Sequence, residues 1–393
     1  MADLIIQNFS QGIASSPLVG FGDMRNIDVL TVPGVARLNN PLAKKSVAVV
    51  TGLIKWMVKN PLVPTQIWGL DENGVVYKST DSGDTWAVLA GNTAGGKGQG
   101  LAIWKDYLFV AYTTGLDVYG SLTAGLTWTL AWKTIDSDAL WHPLLISKLD
   151  NKLYGGAGKY VFSLDETTGQ TFAPGTGATF TWTQQALDLP PNYRIKSLSE
   201  QGNNLMCGTW MGTNVYDFKI ADIFPWDRSS PSFMEPIQVN ENGVNAMLNI
   251  GGLIHTLCGI DGKLQVSNGV SSSLIGQIPN SIADLDGGKY LEPMPGALIN
   301  HKGRPFFGVS GTSISGMGVW SLLQTSKGNI LNCEHVISTG NDGTSATLKI
   351  GSLLEISRDV ILVAWQDGTS YGIDKTNTSA VSTGYTGYII SPL

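Results

Sequence analysis

The chain is poor in charge, poor in cysteine, and free of long apolar or basic runs, and each shortage excludes something. Asp, Glu, Lys and Arg make up 14% of its 393 residues, where an average soluble domain carries about 25%. The balance is acidic, with a net charge of −6, and the Lys44-Lys45 pair is the most basic stretch. That excludes non-specific binding of nucleic acid on a broad basic face. No run of about 18 apolar residues exists to form a membrane-spanning helix. Met1–Phe9 lacks a basic region followed by a long apolar core, which predicts no signal peptide. Three cysteines, Cys207, Cys258 and Cys333, lie 51 and 75 residues apart. An odd, widely spaced set argues against a disulfide framework or a CxxC metal site and predicts small buried apolar residues. Helix signals are confined to short pieces such as Lys219–Phe224.

What the chain does have is glycine, 48 residues of it, and a repeat. Apolar runs open at Ser46, Gly98, His142, Arg194, Gly243, Pro295 and Ser345, spaced 44 to 52 residues apart. Each is followed by a second apolar run and a Gly-marked turn. That period is the size of one four-stranded propeller blade. The expected fold is therefore all-β: a propeller over residues 46–393, most simply of seven four-stranded blades, with six or eight as the alternatives.

Residues 1–45 are expected to form an extended N-terminal arm, too apolar for a free tail and too short for a domain. It packs across the disc, adds a strand to a blade, or reaches a neighbouring subunit. Ring closure is expected from Leu4–Phe9 or from Gly384–Ile390 beside the first blade, hiding open strand edges. First-blade strands are expected near 46–58, 65–70, 74–79 and 84–89, with Asn73-Gly74 supplying a positive φ in a hairpin turn. Long insertions are expected at 165–178, 219–232 and 271–293.

Ser79-Thr-Asp81-Ser-Gly83-Asp-Thr85-Trp86 carries a local physical logic. Ser79 and Asp81 can bond the backbone of their own turn, Gly83 can take a conformation barred to a residue with a Cβ, and Trp86 can fill space between blades. A worn copy, Ser121-Leu-Thr123-Ala-Gly125-Leu-Thr127-Trp128, follows 42 residues later, and a stretched trace spans Ser163–Phe172. The pattern resembles the Asp-box of BNR-repeat propellers, a group that includes sialidases, other glycosidases, sorting receptors, photosystem assembly factors and viral proteins. In that group the box resembles a fold staple on the third-to-fourth-strand turn, away from the catalytic face.

Chemistry must therefore rest on other residues. Sialidases need three arginines, a Tyr–Glu pair and an acidic donor. The propeller region holds Arg194, Arg228, Arg304 and Arg358, and Tyr193-Arg194-Ile195 lacks the proline of the family's Arg-Ile-Pro motif. Carboxylates that could pair for glycoside hydrolysis are Asp136, Asp138, Glu241, Asp284, Asp286 and Glu292, and no spacing selects two of them. Asp284-Leu-Asp286 has too few oxygens at fixed spacing for an EF-type calcium loop. The histidines at 142, 255, 301 and 335 fall in four different blades, without a local ligand partner. No cofactor and no catalytic residue is assigned. Trp104, Trp141, Trp210, Trp320 and Trp365 could stack on sugars in a glycan-binding propeller, although inter-blade packing is their simpler role.

Two segments resemble structural proteins of tailed-bacteriophage virions. Met24–Pro41 carries the pattern Asn26-x-Asp28…Pro33-Gly34…Arg37, and Ile223–Gln238, running on to Gly259–Gly269, is similar to a middle section of propeller-bearing virion proteins. Together they cover about a sixth of the chain. The resemblance implies a non-enzymatic virion part assembled in the host's bacterial cytoplasm, such as the tail nozzle of a short-tailed phage. It implies a homo-oligomeric ring, hexameric by preference, bound to adaptor, fibre or nozzle neighbours, through which phage DNA passes without specific binding. Nozzle proteins commonly carry further β-domains that this chain lacks, so collar, baseplate, fibre-attachment and capsid-decoration stations stay open. Candidate interface residues are Asn26, Asp28 and Arg37, with Phe224, Trp226, Asp227 and Arg228; a packed loop at the edge of the fourth blade is the alternative for the last four. The competing reading is a sialidase-like or glycan-binding Asp-box propeller.

Overall fold

A computed structural model of the chain describes residues 23–25, 27–28, 37–45, 49–92, 98–120, 127–137, 141–166, 180–211, 220–260, 262–278, 293–310, 318–325, 328–337, 348–376, 378 and 388–390. They form a seven-bladed β-propeller of four-stranded antiparallel blades. The first blade runs Ile54–Lys59, Ile67–Asp71, Val76–Ser79 and Ala87–Leu89 from the axis outward. Blades two to six occupy 100–134, 144–188, 193–239, 244–277 and 298–336, and the seventh takes 349–376.

Burial explains the sequence pattern. Second strands such as Ile67–Asp71 and Leu153–Ala157 are buried at every residue, because neighbouring blades cover both faces, so they read as continuous apolar runs. Outer strands such as Ala87–Leu89 face solvent. The core is correspondingly divided into seven main apolar wedges, one at each junction between blades. Near the axis the blades converge, and glycine permits the approach: a Cβ at Gly98 would overlap the Asp71 carbonyl, and one at Gly100 the His142 carbonyl.

Closure differs from the expectation. Leu42–Lys44 supplies the outer strand of the seventh blade, pairing antiparallel with Asp374–Thr376. The chain thus completes its last blade with a strand that leads into its first. Tyr388–Ile390 does not lie beside the first blade. It pairs antiparallel with Asp23–Arg25, which runs parallel to the outer strand of the sixth blade with Arg25 opposite Cys333. Leu4–Phe9 lies outside the described residues.

Three local readings are also corrected. The first inner strand begins at Ile54 rather than Ser46. Of the helix candidate Lys219–Phe224, Lys219 lies outside the described residues and the rest is not helical: Ala221–Trp226 is the third strand of the fourth blade, with Ala221 and Ile223 buried and Asp222 between them half-exposed, a period of two instead of 3.6. Likewise Ser272–Gln277, placed in an insertion, is the outer strand of the fifth blade. In the first hairpin the positive φ belongs to Gly74 (88°). There the Asp71 carboxylate accepts the Asn73 and Val75 amides at 2.9 and 2.8 Å.

Candidate functional site

The Ser79–Trp86 turn joins the third and fourth strands of the first blade. Ser79 Oγ accepts the Gly83 amide at 2.8 Å and donates to Asp81 Oδ1 at 2.8 Å. Asp81 accepts the Thr85 amide (2.8 Å) and hydroxyl (2.6 Å). Burial works against the charged form of Asp81, but the bonds from Thr85 and Ser79 outweigh it and hold the carboxyl below its ordinary range. Gly83 sits at φ +88°, and a Cβ there would strike Leu362 of the seventh blade. Trp86 is buried, its indole N–H donating to the Gly83 carbonyl at 3.1 Å. Of the worn copy, residues 121–126, including Gly125, lie outside the described residues. Trp128 stacks on Tyr119 with centroids 4.8 Å apart and donates to the Ala90 carbonyl.

Asp84, which the pattern leaves unspecified, is the turn's outward reach. It lies 2.8 Å from Lys45 Nζ and 2.7 Å from Lys375 Nζ. Hydrogen bonds from Lys375, then Lys45, hold its carboxyl below the usual range. Sequence spacing gave no signal for it, because both lysines lie far away in the chain.

The end of the fourth blade's third strand, Ala221–Trp226, and Arg228 in the turn after it pack inward, whereas Asp227 does not. Phe224 is 1% and Trp226 3% exposed. Phe224 meets Tyr193 and Phe233 edge-on, and Trp226 meets Tyr154 of the third blade. Arg228 Nη2 lies 2.6 Å from Glu200 Oε1, with its guanidinium 5.8 Å above the Tyr154 ring. These three make contacts within the chain, as the packed-loop alternative expects. Asp227 alone of the four is exposed, and it caps the Ser229 and Ser230 amides. In the N-terminal segment, Asp28 pairs with Arg37 and Ile27 with Leu38 across a short antiparallel ladder; Asn26 lies outside the described residues.

Glu200 also organises the floor of the disc. Its Oε2 accepts the Lys148 amide of the third blade at 3.0 Å, and its carbonyl accepts from Asn249 of the fifth. Three blades thus meet around a cavity of about 480 Å³ on the face that carries the first-to-second-strand turns. Leu145, Leu198 and Met247 line it together with the polar Lys148, Ser199 and Asn249, and no aromatic ring does.

Deeper in, side chains meet across the axis. Lys55 of the first blade and Lys196 of the fourth place their ammonium groups 4.8 and 4.9 Å from the centre of the Trp141 indole. These blades stand on opposite sides of the ring, so Trp141 lies across its middle. Lys196 donates to Asn245 Oδ1 at 2.8 Å, and Asn245 donates to the Gly259 carbonyl at 2.6 Å. Lys196 and Asn245 are fully buried.

The arginines needed for a sialidase site are dispersed. Arg304 is buried against Glu334, at 2.9 Å, on the sixth blade, Arg228 is held by Glu200, and Arg358 sits in a turn of the seventh blade. Glu241 is buried and bound to Lys263 at 2.6 Å. Asp136 is half-buried, while Asp138, Asp284, Asp286 and Glu292 lie outside the described residues. Among the described residues no three His, Cys, Asp or Glu side chains come together as metal ligands. Trp104, Trp141, Trp210, Trp320 and Trp365 are all 6% exposed or less, so none offers an open face for a sugar.

No family model and no curated protein matches the chain. Solved structures similar to it are propellers of distant sequence. YCF48 from Cyanidioschyzon merolae is 11% identical over 86% of this chain and 100% of its own, with a TM-score of 0.54. The Cps50 (Swd1) β-propeller domain of Myceliophteria thermophila is 8% identical over 85% and 98%, at 0.52. YCF48 bound to a D1 peptide is 11% identical over 88% and 97%, at 0.50. Likeness at this level of identity concerns the fold alone.

Proposed function

We propose that the chain is a non-enzymatic structural propeller of a bacteriophage virion, a ring-forming tail component that binds neighbouring subunits. The observation that carries the reading is how its chemistry-bearing side chains are used. Trp141 lies across the axis in contact with Lys55 and Lys196, and Arg228 and Arg304 are bound to carboxylates at separate blades, half-buried Glu200 and buried Glu334. Such groups build a rigid block and leave the loops and edges to make contacts. The resemblance of Met24–Pro41 and Ile223–Gly269 to virion proteins supplies the biological setting. DNA would then pass through a ring of copies, not along the axis of one propeller, which Trp141 crosses. The cavity by Glu200 offers both aliphatic and polar side chains but no aromatic ring on which a sugar could stack, which favours a neighbouring subunit of that ring over a glycan.

Native mass across a concentration series tests this. A closed multiple of 41.9 kDa, six copies above all, is expected. A strict monomer at every concentration, together with a positive glycan array, would replace it with the sugar-binding alternative.

A further inference from the structure

Every other blade takes its four strands from one continuous stretch of chain, but the fourth strand of the seventh comes from elsewhere in the sequence. Leu42–Lys44 is held to it by three residue pairs and by the Lys45 amide donating to the Ile373 carbonyl at 2.9 Å. So short an outer strand is a weak fastening on its own. We propose that Asp84 is an ionic clasp that holds the ring shut at this seam.

The geometry is specific. Asp84 belongs to the first blade, on the far side of the seam. Its two oxygens take one cation from each partner of the closing pair: Oδ1 takes Lys45, which follows the N-terminal strand, and Oδ2 takes Lys375, within the third strand of the seventh blade. A single carboxylate therefore joins the first blade, the closing strand and the strand it closes on. The nearest acid in its own turn, Asp81, is occupied by Ser79 and Thr85 and leaves Asp84 to the lysines. The turn is also pressed against the seam from behind, with Gly83 seated on Leu362. The local bonds of the turn shape it, and Asp84 uses that shape to reach across.

When the clasp is released, Leu42–Lys44 loosens and the edge of Ser370–Thr376 is uncovered, and such an edge can pair with another strand. The clasp is part-exposed, so salt weakens it. It holds whether or not the protein belongs to a virion.

Hydrogen exchange on the full-length protein tests the clasp. In Asp84→Asn at low salt, the amides of residues 42–45 and 373–375 are expected to exchange about fivefold faster or more, with blades two to five unchanged. Asp84→Glu should keep most of the protection. Lys302→Ala, which removes a comparable pair with Asp359 between the sixth and seventh blades, should leave residues 42–45 as they are. The clasp is overturned if Asp84→Asn leaves the seam amides unchanged or speeds exchange equally in all blades. If that variant does not fold, salt decides on the wild type: seam protection that is unmoved between low salt and about 0.5 M salt overturns it too.

Discussion

The Lys196 ammonium stands 4.9 Å from the centre of the Trp141 indole, and Lys55 stands 4.8 Å from it. One aromatic ring thus serves two cations that approach from opposite sides of the propeller. A desolvated cation–π contact contributes about 2 kcal/mol, and the ring also fills the space where the inner strands would otherwise part.

Trp141→Ala should therefore cost about 3–5 kcal/mol, the range for removing a large buried aromatic. Urea unfolding measures it. A loss below about 1 kcal/mol would mean that the axis holds together without the plug.

Trp226→Ala and Arg228→Ala should act on folding rather than on subunit contacts. Trp226 packs edge-on to Tyr154, and Arg228 neutralises Glu200, which also ties the third and fifth blades. Losing the arginine leaves a largely buried carboxylate, at a cost of about 3 kcal/mol. Loss of the Trp226 side chain should cost a similar about 3–5 kcal/mol. Thermal melts of the two variants, read beside Asp227→Lys, separate the roles. Asp227 is exposed, so only its change should alter native mass without lowering the melting temperature in step with the other two.

The fold was legible in the sequence because a propeller repeats its burial. Second strands covered on both faces leave a continuous apolar run in every unit, and a spacing near fifty residues follows. The shape of the Ser79–Trp86 turn was legible for a different reason: its bonds run between residues two to four positions apart. What could not be read was anything built across the ring. Leu42–Lys44 joins a strand more than 300 residues away, Asp84 meets Lys375 across 291 residues, and Lys55 and Lys196 meet on Trp141. Local pattern carries no trace of such pairings. The Phe224–Arg228 segment shows the same limit from the other side, since Trp and Arg have one appearance in sequence whether they anchor a partner or their own core.

The three thiols should be silent in the native protein. Cys207, Cys258 and Cys333 are buried, and burial pushes the Cys207 and Cys258 thiols up to about 12, far from the thiolate that reacts. A thiol-specific chromogenic reagent at neutral pH should titrate no cysteine before denaturant is added and three after. Rapid native labelling of even one would mean that its blade opens readily.

Stability should fall on mild acidification, and His255 and His301 should be the cause. Burial lowers the pKa of each below the ordinary 6.5; for His301, 3.3 Å from Glu355, the carboxylate only partly opposes it. A histidine whose folded pKa lies below its unfolded one favours the folded state fully above about 6.5, and that contribution drains away as pH falls through the lower, folded value. The unfolding free energy should therefore decline from pH 7 towards pH 5. His255→Gln removes one titrating group and should flatten that decline, whatever it does to stability at pH 7, and His301→Gln should flatten it further. Urea midpoints at half-unit pH steps give the slopes, and parallel curves for wild type and His255→Gln would show that His255 is reached by water and protonates freely in the folded blade.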